Sequence, residues 1–260
     1  MATTDEERSP RRVQSVRTAM EIIELLEERE GAGVTEIAGH LDLTKGTVHT
    51  QLATLRERGF VTKQGEDYHL GLRFLELGEN AKKRLSVPDV AKRELDKLAE
   101  DTDTRTQLVV EENGMVICVY LARGPNAILP PTDVGYREYL HCIASGKALL
   151  AHLSDERIEA VLGKHGLPAK TDATITDRET LYEELAEVRE RGYALNDEEK
   201  LRGLRAVGTP VIGQDGEPIG AISISDTTRN MPDERFREAI PDRLMGVANI
   251  IEVNYNAKHG

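Results

Sequence analysis

Three stretches of this chain bring reactive or polar side chains close together, and each implies a different chemistry. Gly146-Lys147 suggests a phosphate-cradling loop, but such a loop needs a glycine five residues before the pair and a hydroxyl residue after it. Those places hold His141 and Ala148, so the signal fails. His141 beside Cys142 suggests a thiol nucleophile with its base, or two metal ligands. Adjacent residues of an extended segment point to opposite faces and share neither a proton nor a metal. His49, His69, His152, His165 and His259 show no ligand spacing either. The third stretch is Lys45-Gly46-Thr47 with His49, Thr50 and Gln51, a crowd of donors and acceptors suited to phosphates and base edges. No nucleophile with a matched base is found, so the chain reads as a binding protein without cofactor or metal.

The elements around that third stretch explain its use. Val34, Ile37, Ala38 and Leu41 recur at i, i+3, i+4 and i+7, one apolar stripe of a short helix. Asp42 breaks the pattern, Leu43 can staple the turn, and Thr44 can cap a second helix running from Lys45 to about Arg58. Val48, Leu52 and Leu55 form its buried side, leaving Lys45, Thr47, His49, Thr50 and Gln51 outward near its N-terminus, where a recognition helix meets DNA. Gly46 in the first turn costs about 1 kcal/mol relative to Ala, which a close approach to a phosphate backbone would explain. The run from Phe60 to Leu70, with Gly65 in its turn, reads as a hairpin wing carrying Lys63 and Gln64. An earlier helix with Val16, Ala19, Met20, Ile23 and Leu26 inward would roof the pair. Residues 12–71 are therefore expected to form a winged helix-turn-helix. Residues 1–11 are expected to be a disordered tail, with Arg11, Arg12 and Arg17 available as a basic arm.

The overall charge conflicts with that reading. The 260 residues carry a formal charge of -12, with 23 Arg, 11 Lys and 46 acidic residues, 4% aromatics and no Trp. An ordinary DNA binder has a basic face. Few lysines and many carboxylates are expected of a protein that stays hydrated in concentrated salt, so a halophilic origin is the preferred account. At molar KCl counterion release contributes little to DNA affinity, and base and shape readout must carry binding. The recognition region keeps the right local sign, with Lys45, Arg56, Arg58 and Lys63 against Asp42 and Glu57. Two cysteines, Cys118 and Cys142, fit a reduced cytoplasm. No run reaches the ~18 apolar residues of a membrane span, and residues 1–12 lack the apolar core of a signal peptide. The expectation is a cytoplasmic protein.

Beyond the wing, Leu72, Leu75, Leu77 and Leu85 with Lys82, Lys83 and Arg84 predict a linker helix over 72–87 that can pair with its twin. Pro88 is read as the boundary of a domain spanning 88–260. There a helix over 90–100 is followed by strands over 107–111 and 115–121, joined at Glu112-Asn113-Gly114. A third strand is expected over 127–129, and helices over 144–153, 155–162 and 177–191, the last with Leu181, Leu185 and Val188 inward. Strands over 193–195, 205–212 and 219–225 and a final helix over 233–255, kinked or restarted at Pro241, complete it. Strands at both ends with helices between predict an α+β fold, an antiparallel sheet flanked by helices.

Four fragments in order identify a family: Arg12-Val13-Gln14-Ser15-Val16 leading into the winged helix; residues 139–150, YLHCIASGKALL; residues 188–199, VRERGYALNDEE; and Ala221-Ile222-Ser223-Ile224-Ser225. From Arg12 to Tyr255 the chain resembles the IclR-type transcriptional regulators. The resemblance implies a winged helix, a linker helix, a GAF-like effector domain, and dimers that often pair into tetramers. It also implies promoter DNA as a partner and a small organic effector, frequently a carboxylate. The family's effector residues fall on Ala144, Ser145, Gly146, Asn196, Ala206, Ser223 and Ser225. Ser223 and Ser225 share a strand face, the helix opening at Ala144 offers free N–H groups, and Arg205 or Lys200 could balance a ligand's charge. Ala206 departs from the more polar or sulfur-bearing residue of some relatives, which argues against two-carbon acids and leaves room for a larger ligand.

The expectation is thus a DNA-binding regulator that responds to a carboxylate or sugar-derived effector, with Thr44 to Thr47, His49, Thr50 and Gln51 at the major groove. Arg11, Arg17, Lys63 and Gln64 would touch backbone or minor groove. Two alternatives stay open: a ligand-sensing adaptor whose winged helix contacts proteins, and an enzyme acting on a small organic acid.

Overall fold

The computed structural model describes residues 12–127 and 133–259. The tail 1–11, Arg11 included, lies outside the described residues, as does all but Ala127 of the expected strand over 127–129. Ala127 itself is not in a strand. The chain divides into two compact units between Arg84 and Leu85.

The first unit contains α1 (Gln14–Glu28), β1 (Ala32–Gly33), α2 (Val34–His40), α3 (Lys45–Glu57), β2 (Val61–Gln64), β3 (Asp67–Leu70) and α4 (Arg73–Lys82). Ile37, Ala38, Val48, Leu52 and Leu55 close its core, together with Ile22, Leu25 and Leu26 of α1. The inward face of α1 is rotated from the expected one. Val16 and Met20 are 56% and 51% exposed, while Thr18, Ile22 and Leu25 are buried beside the expected Leu26. Asp42 turns the chain between α2 and α3 in the left-handed region, at φ 53°, a conformation that Asp tolerates better than most residues. The wing β2–β3 is an antiparallel pair extended by the two residues of β1, an addition too short for any sequence signal. Gly71 closes the wing by donating to the Phe60 carbonyl at 2.8 Å. A Cβ there would lie 2.2 Å from the Gly59 oxygen.

The expected linker helix is not continuous. α4 ends at Lys82, and α5 (Val87–Thr102) begins in the second unit with Pro88 inside its first turn rather than at a boundary. Proline is accepted there because first-turn N–H groups have no intrahelical acceptor.

The second unit continues with β4 (Arg105–Glu112), β5 (Met115–Arg123), β6 (Arg137–Tyr139), α6 (Ala144–Leu150), α7 (Asp155–His165), α8 (Arg178–Arg191), β7 (Ala194–Asp197), β8 (Leu204–Ile212), β9 (Pro218–Thr227) and α9 (Ile240–His259). Its six strands are antiparallel in the order β6-β5-β4-β9-β8-β7. The β4–β5 hairpin turns at Asn113 and Gly114, both at positive φ, the geometry that an Asn-Gly pair favours. One sheet face packs on α5 and α9 through Leu95, Leu108, Val207, Ile222, Ile224, Phe236 and Leu244. The other packs on α6, α7 and α8 through Val109, Ala221, Leu149, Ile158, Leu185 and Val188. α6 stops at Leu150, three residues short of the expectation, and Pro241 sits in the first turn of α9 just after a π-turn at Arg235–Ala239. Residues 140–142 form a 3-10 turn, not the extended segment expected.

Candidate functional site

In the first unit, α3 presents Lys45, Gly46, Thr47, His49 and Thr50 to solvent, with Gln51 half-buried. The Thr44 side chain caps the helix, accepting from the Thr47 N–H at 3.1 Å. The Thr44 and Thr47 hydroxyls are 2.9 Å apart, and the Thr50 hydroxyl donates to the Gly46 carbonyl at 3.0 Å. Thr50 therefore faces outward with its methyl group and an acceptor lone pair rather than with a free donor. Among the described residues nothing crowds Gly46: a Cβ there would meet only the Thr44 hydroxyl, at 3.8 Å. On the wing, Lys63 stands directly across from Tyr68, with its ammonium 5.6 Å from the ring centroid, and Gln64 is exposed beside it. Arg17 forms an exposed i,i+4 pair with Glu21, a contact worth a few tenths of a kcal/mol at most.

In the second unit the strand register collects residues far apart in the chain. Asn196 of β7 pairs with Ala206 of β8, Ala206 with Ser225 of β9, and Ser225 with Arg105 of β4. These four side chains share the face under α6. The next row on that face contains Gly208, Ser223 and Gln107. α6 starts directly on Gly208, where a Cβ would lie 2.4 Å from the Ser145 nitrogen. Ser145, Asn196 and Ser223 are each 1% exposed. Asn196 donates from Nδ2 to the Cys142 carbonyl at 2.7 Å, but its Oδ1 has no partner, nor have Ser145 Oγ, Ser223 Oγ and Arg105 Nε. Unpartnered buried polar atoms cost about 1–3 kcal/mol each, so four on one face demand a reason.

Other expectations are redirected. Gly146 packs against the chain, where a Cβ would meet the Leu140 oxygen at 2.2 Å. Lys147 is buried and bound to Glu199 at 2.6 Å and Glu184 at 3.2 Å, tying α6 to α8 and to the segment after β7. His141 Nε2 contacts the Pro168 carbonyl and Cys142 Sγ the Tyr139 carbonyl, so the two side chains have separate partners. Burial raises the Cys118 and Cys142 thiols, the latter to about 12, and keeps His141 below its usual value. Arg205 is not available to a ligand. It alternates with Ala206, lies against the Phe236 ring on the opposite face, and is bound to Asp197 and Asp233. A shallow cavity of about 300 Å³ on that side, lined by Asp172, Asp197, Arg202 and Arg205 among others, has its arginines already paired.

Arg105 is the residue that sequence reading missed. In the sequence, Arg105 stands between Thr104 and Thr106, ahead of the strand expected over 107–111, with nothing to mark it as buried. In the fold its face of the sheet is covered, Arg105 is 5% exposed, and among the described residues it forms no ion pair. Its cross-strand neighbour on β5 is another cation, Arg123. Lys200, half-buried, lies 4.2 Å from the Tyr136 ring centroid. Burial pushes its ammonium down, and Arg105 adds to that fall. No group of three or more metal-ligating side chains occurs among the described residues.

A winged helix-turn-helix joined to an α+β unit with unanswered polar atoms on a covered sheet face has the build of a ligand-responsive DNA-binding regulator. Two family descriptions match the chain: the IclR helix-turn-helix domain over residues 15–65 and the bacterial transcriptional regulator IclR C-terminal over residues 80–252. The chain belongs to the IclR family of transcriptional regulators. It is 36% identical over 248 residues to the probable HTH-type transcriptional regulator ArcR of Halobacterium salinarum, covering 94% of each chain. The crystal structure of the Thermotoga maritima IclR superposes with a TM-score of 0.78 at 26% identity, over 94% of this chain and 99% of that one. An IclR homolog from Microbacterium hydrocarbonoxydans, complexed with 4-hydroxybenzoate, has the same fold, with a TM-score of 0.79 at 23% identity over 94% and 99%. The chain is a DNA-binding regulator with an effector-binding C-terminal domain, not an enzyme. Among the described residues no helix is long and apolar enough to cross a membrane.

Proposed function

We propose that this regulator reads operator DNA through α3 and the wing and releases or grips it in response to a small organic carboxylate bound between α6 and the sheet. The observation that carries the effector reading is the convergence of four buried, unpartnered polar atoms, on Arg105, Ser145, Asn196 and Ser223, over one sheet face. Ser225 and the small Ala206 complete the floor, and Ala144 opens the helix above it. The relative complexed with 4-hydroxybenzoate, itself a carboxylate, supports the ligand class.

On DNA, Lys45, Gly46, Thr47, His49, Thr50 and Gln51 would enter the major groove, with Thr44 at its rim, and Lys63, Gln64, Arg17 and Arg11 would meet backbone or minor groove. Exposed Leu72, Leu75 and Leu77 on and beside α4 support pairing with a second copy, and a dimer of dimers would follow from a further contact. The charge of -12 with 11 Lys against 23 Arg supports work in concentrated salt inside a cytoplasm. The effector acts only by binding one conformer more tightly than the other.

The test is fluorescence anisotropy of DNA from the gene's own upstream region at about 0.2 M and about 2 M KCl, with Lys45→Ala/Thr47→Ala and Ser223→Ala/Ser225→Ala as variants. Selective binding is expected at both salts. The first variant should lose it, and the second should keep it without ligand response. Absence of selective binding by a folded protein would favour the adaptor reading, with the winged helix directed at a protein.

A further inference from the structure

The charges around this face do not balance. Among the described residues neither Arg105, which is buried and donates to Gln107 Oε1 at 3.2 Å, nor Lys200, which lies against the Tyr136 ring, forms an ion pair. The acids nearby are committed elsewhere. Glu138 Oε2 accepts from the Tyr136 hydroxyl, and its Oε1 accepts from the Tyr139 N–H and pairs with Lys170 at 3.0 Å. Burial raises the Glu138 carboxyl, but these three donors more than offset it and hold the group ionised. Glu199 is bound to Lys147, and Asp133, 89% exposed, lies beside Arg123 at 3.6 Å. Asp226 points to the far face and accepts from the Thr227 and Asn230 nitrogens. Residues 128–132, between β5 and β6, are Ile-Leu-Pro-Pro-Thr and bring no charge.

A guanidinium does not shed its proton, so Arg105 cannot escape this cost by becoming neutral. Burying a charge without a partner is among the most expensive arrangements a fold can hold, and such charges are otherwise paired. Two cations that form no ion pair among the described residues, beside the hydroxyl and amide oxygens of Ser145, Asn196 and Ser223, specify what is missing.

We propose that the effector carries two negative charges and that Arg105 and Lys200 are the residues that neutralise them. This rests on the effector site described above and narrows it from any carboxylate to a small dianion, either a dicarboxylate or a phosphate monoester. Ser145, Asn196 and Ser223 then hydrogen-bond the part of the ligand between or beside its charges.

The experiment is thermal unfolding and calorimetric titration of the full chain at one fixed KCl concentration. The probes are butanedioate, hexanedioate and glycerol phosphate as dianions, with butanoate and hexanoate as monoanions of matched length. At least one dianion should stabilise the protein at concentrations where the monoanions do not, and the comparison of dicarboxylates with glycerol phosphate separates the two sources. Arg105→Gln should raise the melting temperature of the unliganded protein, because it removes an unpaired buried charge, and should weaken the dianion about 30-fold or more. Lys200→Gln should weaken it in the same direction. A fall in unliganded stability with Arg105→Gln would make Arg105 a structural residue and overturn the proposal. So would monoanions that bind as tightly as dianions and are indifferent to Arg105→Gln. If such a monoanion lost its effect in Ser223→Ala/Ser225→Ala, the effector site would stand while the dianion would not.

Discussion

Gly208 of β8 lies directly beneath Ser145 at the start of α6, so closely that a Cβ on residue 208 would fall 2.4 Å from the Ser145 nitrogen. The obstructing atom is backbone, which cannot rotate away. The absence of a side chain at 208 therefore sets the height of α6 above the sheet, and with it the depth of the face carrying Asn196, Ser223 and Ser225.

Gly208→Ala should lift α6 from β8. The expected cost is about 1–3 kcal/mol, the range of overpacked interiors, measured by urea unfolding. DNA binding without ligand should survive, since α3 belongs to the other unit, while ligand response should be lost.

Gly46→Ala should separate stability from function. With open space at that position, the substitution should stabilise the protein by up to about 1 kcal/mol through helix propensity. If Gly46 lies at the proposed DNA interface, operator affinity should fall, because the added methyl would crowd the approaching backbone. A melt and an anisotropy titration on the same preparation decide this. Unchanged affinity would remove Gly46 from the interface.

Lys45→Ala should reduce affinity for all sequences and lower the slope of log K against log salt by about 1, as expected for one lost phosphate contact. A change confined to one base position would instead make Lys45 a base reader.

Lys147→Ala should be strongly destabilising, by about 3–5 kcal/mol, because it leaves Glu199 buried without its cation. Burial already raises the Glu199 carboxyl, against the pull of Lys147. An acid whose folded pKa lies above its unfolded one disfavours the fold as pH rises through that window. The variant should therefore regain stability as pH falls from neutrality toward the ordinary carboxylate range, more steeply than the parent protein. Unfolding midpoints across that pH range measure the effect.

Cys118 and Cys142 should resist alkylation in the native protein. Both are buried, and burial pushes both thiols up, Cys142 to about 12. Little thiolate forms at neutral pH, so labelling should follow global unfolding, which timed mass spectrometry can establish.

Much of the fold is readable in short stretches of sequence. The stripe of Val48, Leu52 and Leu55, the Thr44 cap, the Asn113-Gly114 turn and the inward Leu181, Leu185 and Val188 are local patterns, and they are seen in the structure. Errors arose where a local pattern had no tertiary support. Val16 and Met20 fit a helical stripe but are exposed in the fold, and α6 ends after Leu150 although the apolar run continues. β1 and β6, two and three residues long, exist because a neighbouring strand is there to pair with them.

Sequence alone determined which elements form and the family to which they belong, because helix periodicity, caps and tight turns depend on neighbours within a few residues. It also placed Ser223 and Ser225 on one strand face, since alternation follows from the pleat. What it could not supply was the meaning of Arg105 and Arg205. Alternation shows that a strand has two different faces but not what covers each. Arg205, beside the expected floor residue Ala206, turned out to be paired on the opposite face, whereas Arg105, unmarked in the sequence, became the buried cation. Whether a charge finds its partner depends on what the other strands and helices bring to its face, as Asp197 and Asp233 are brought to Arg205, and only the folded sheet brings such groups, or fails to bring them, together.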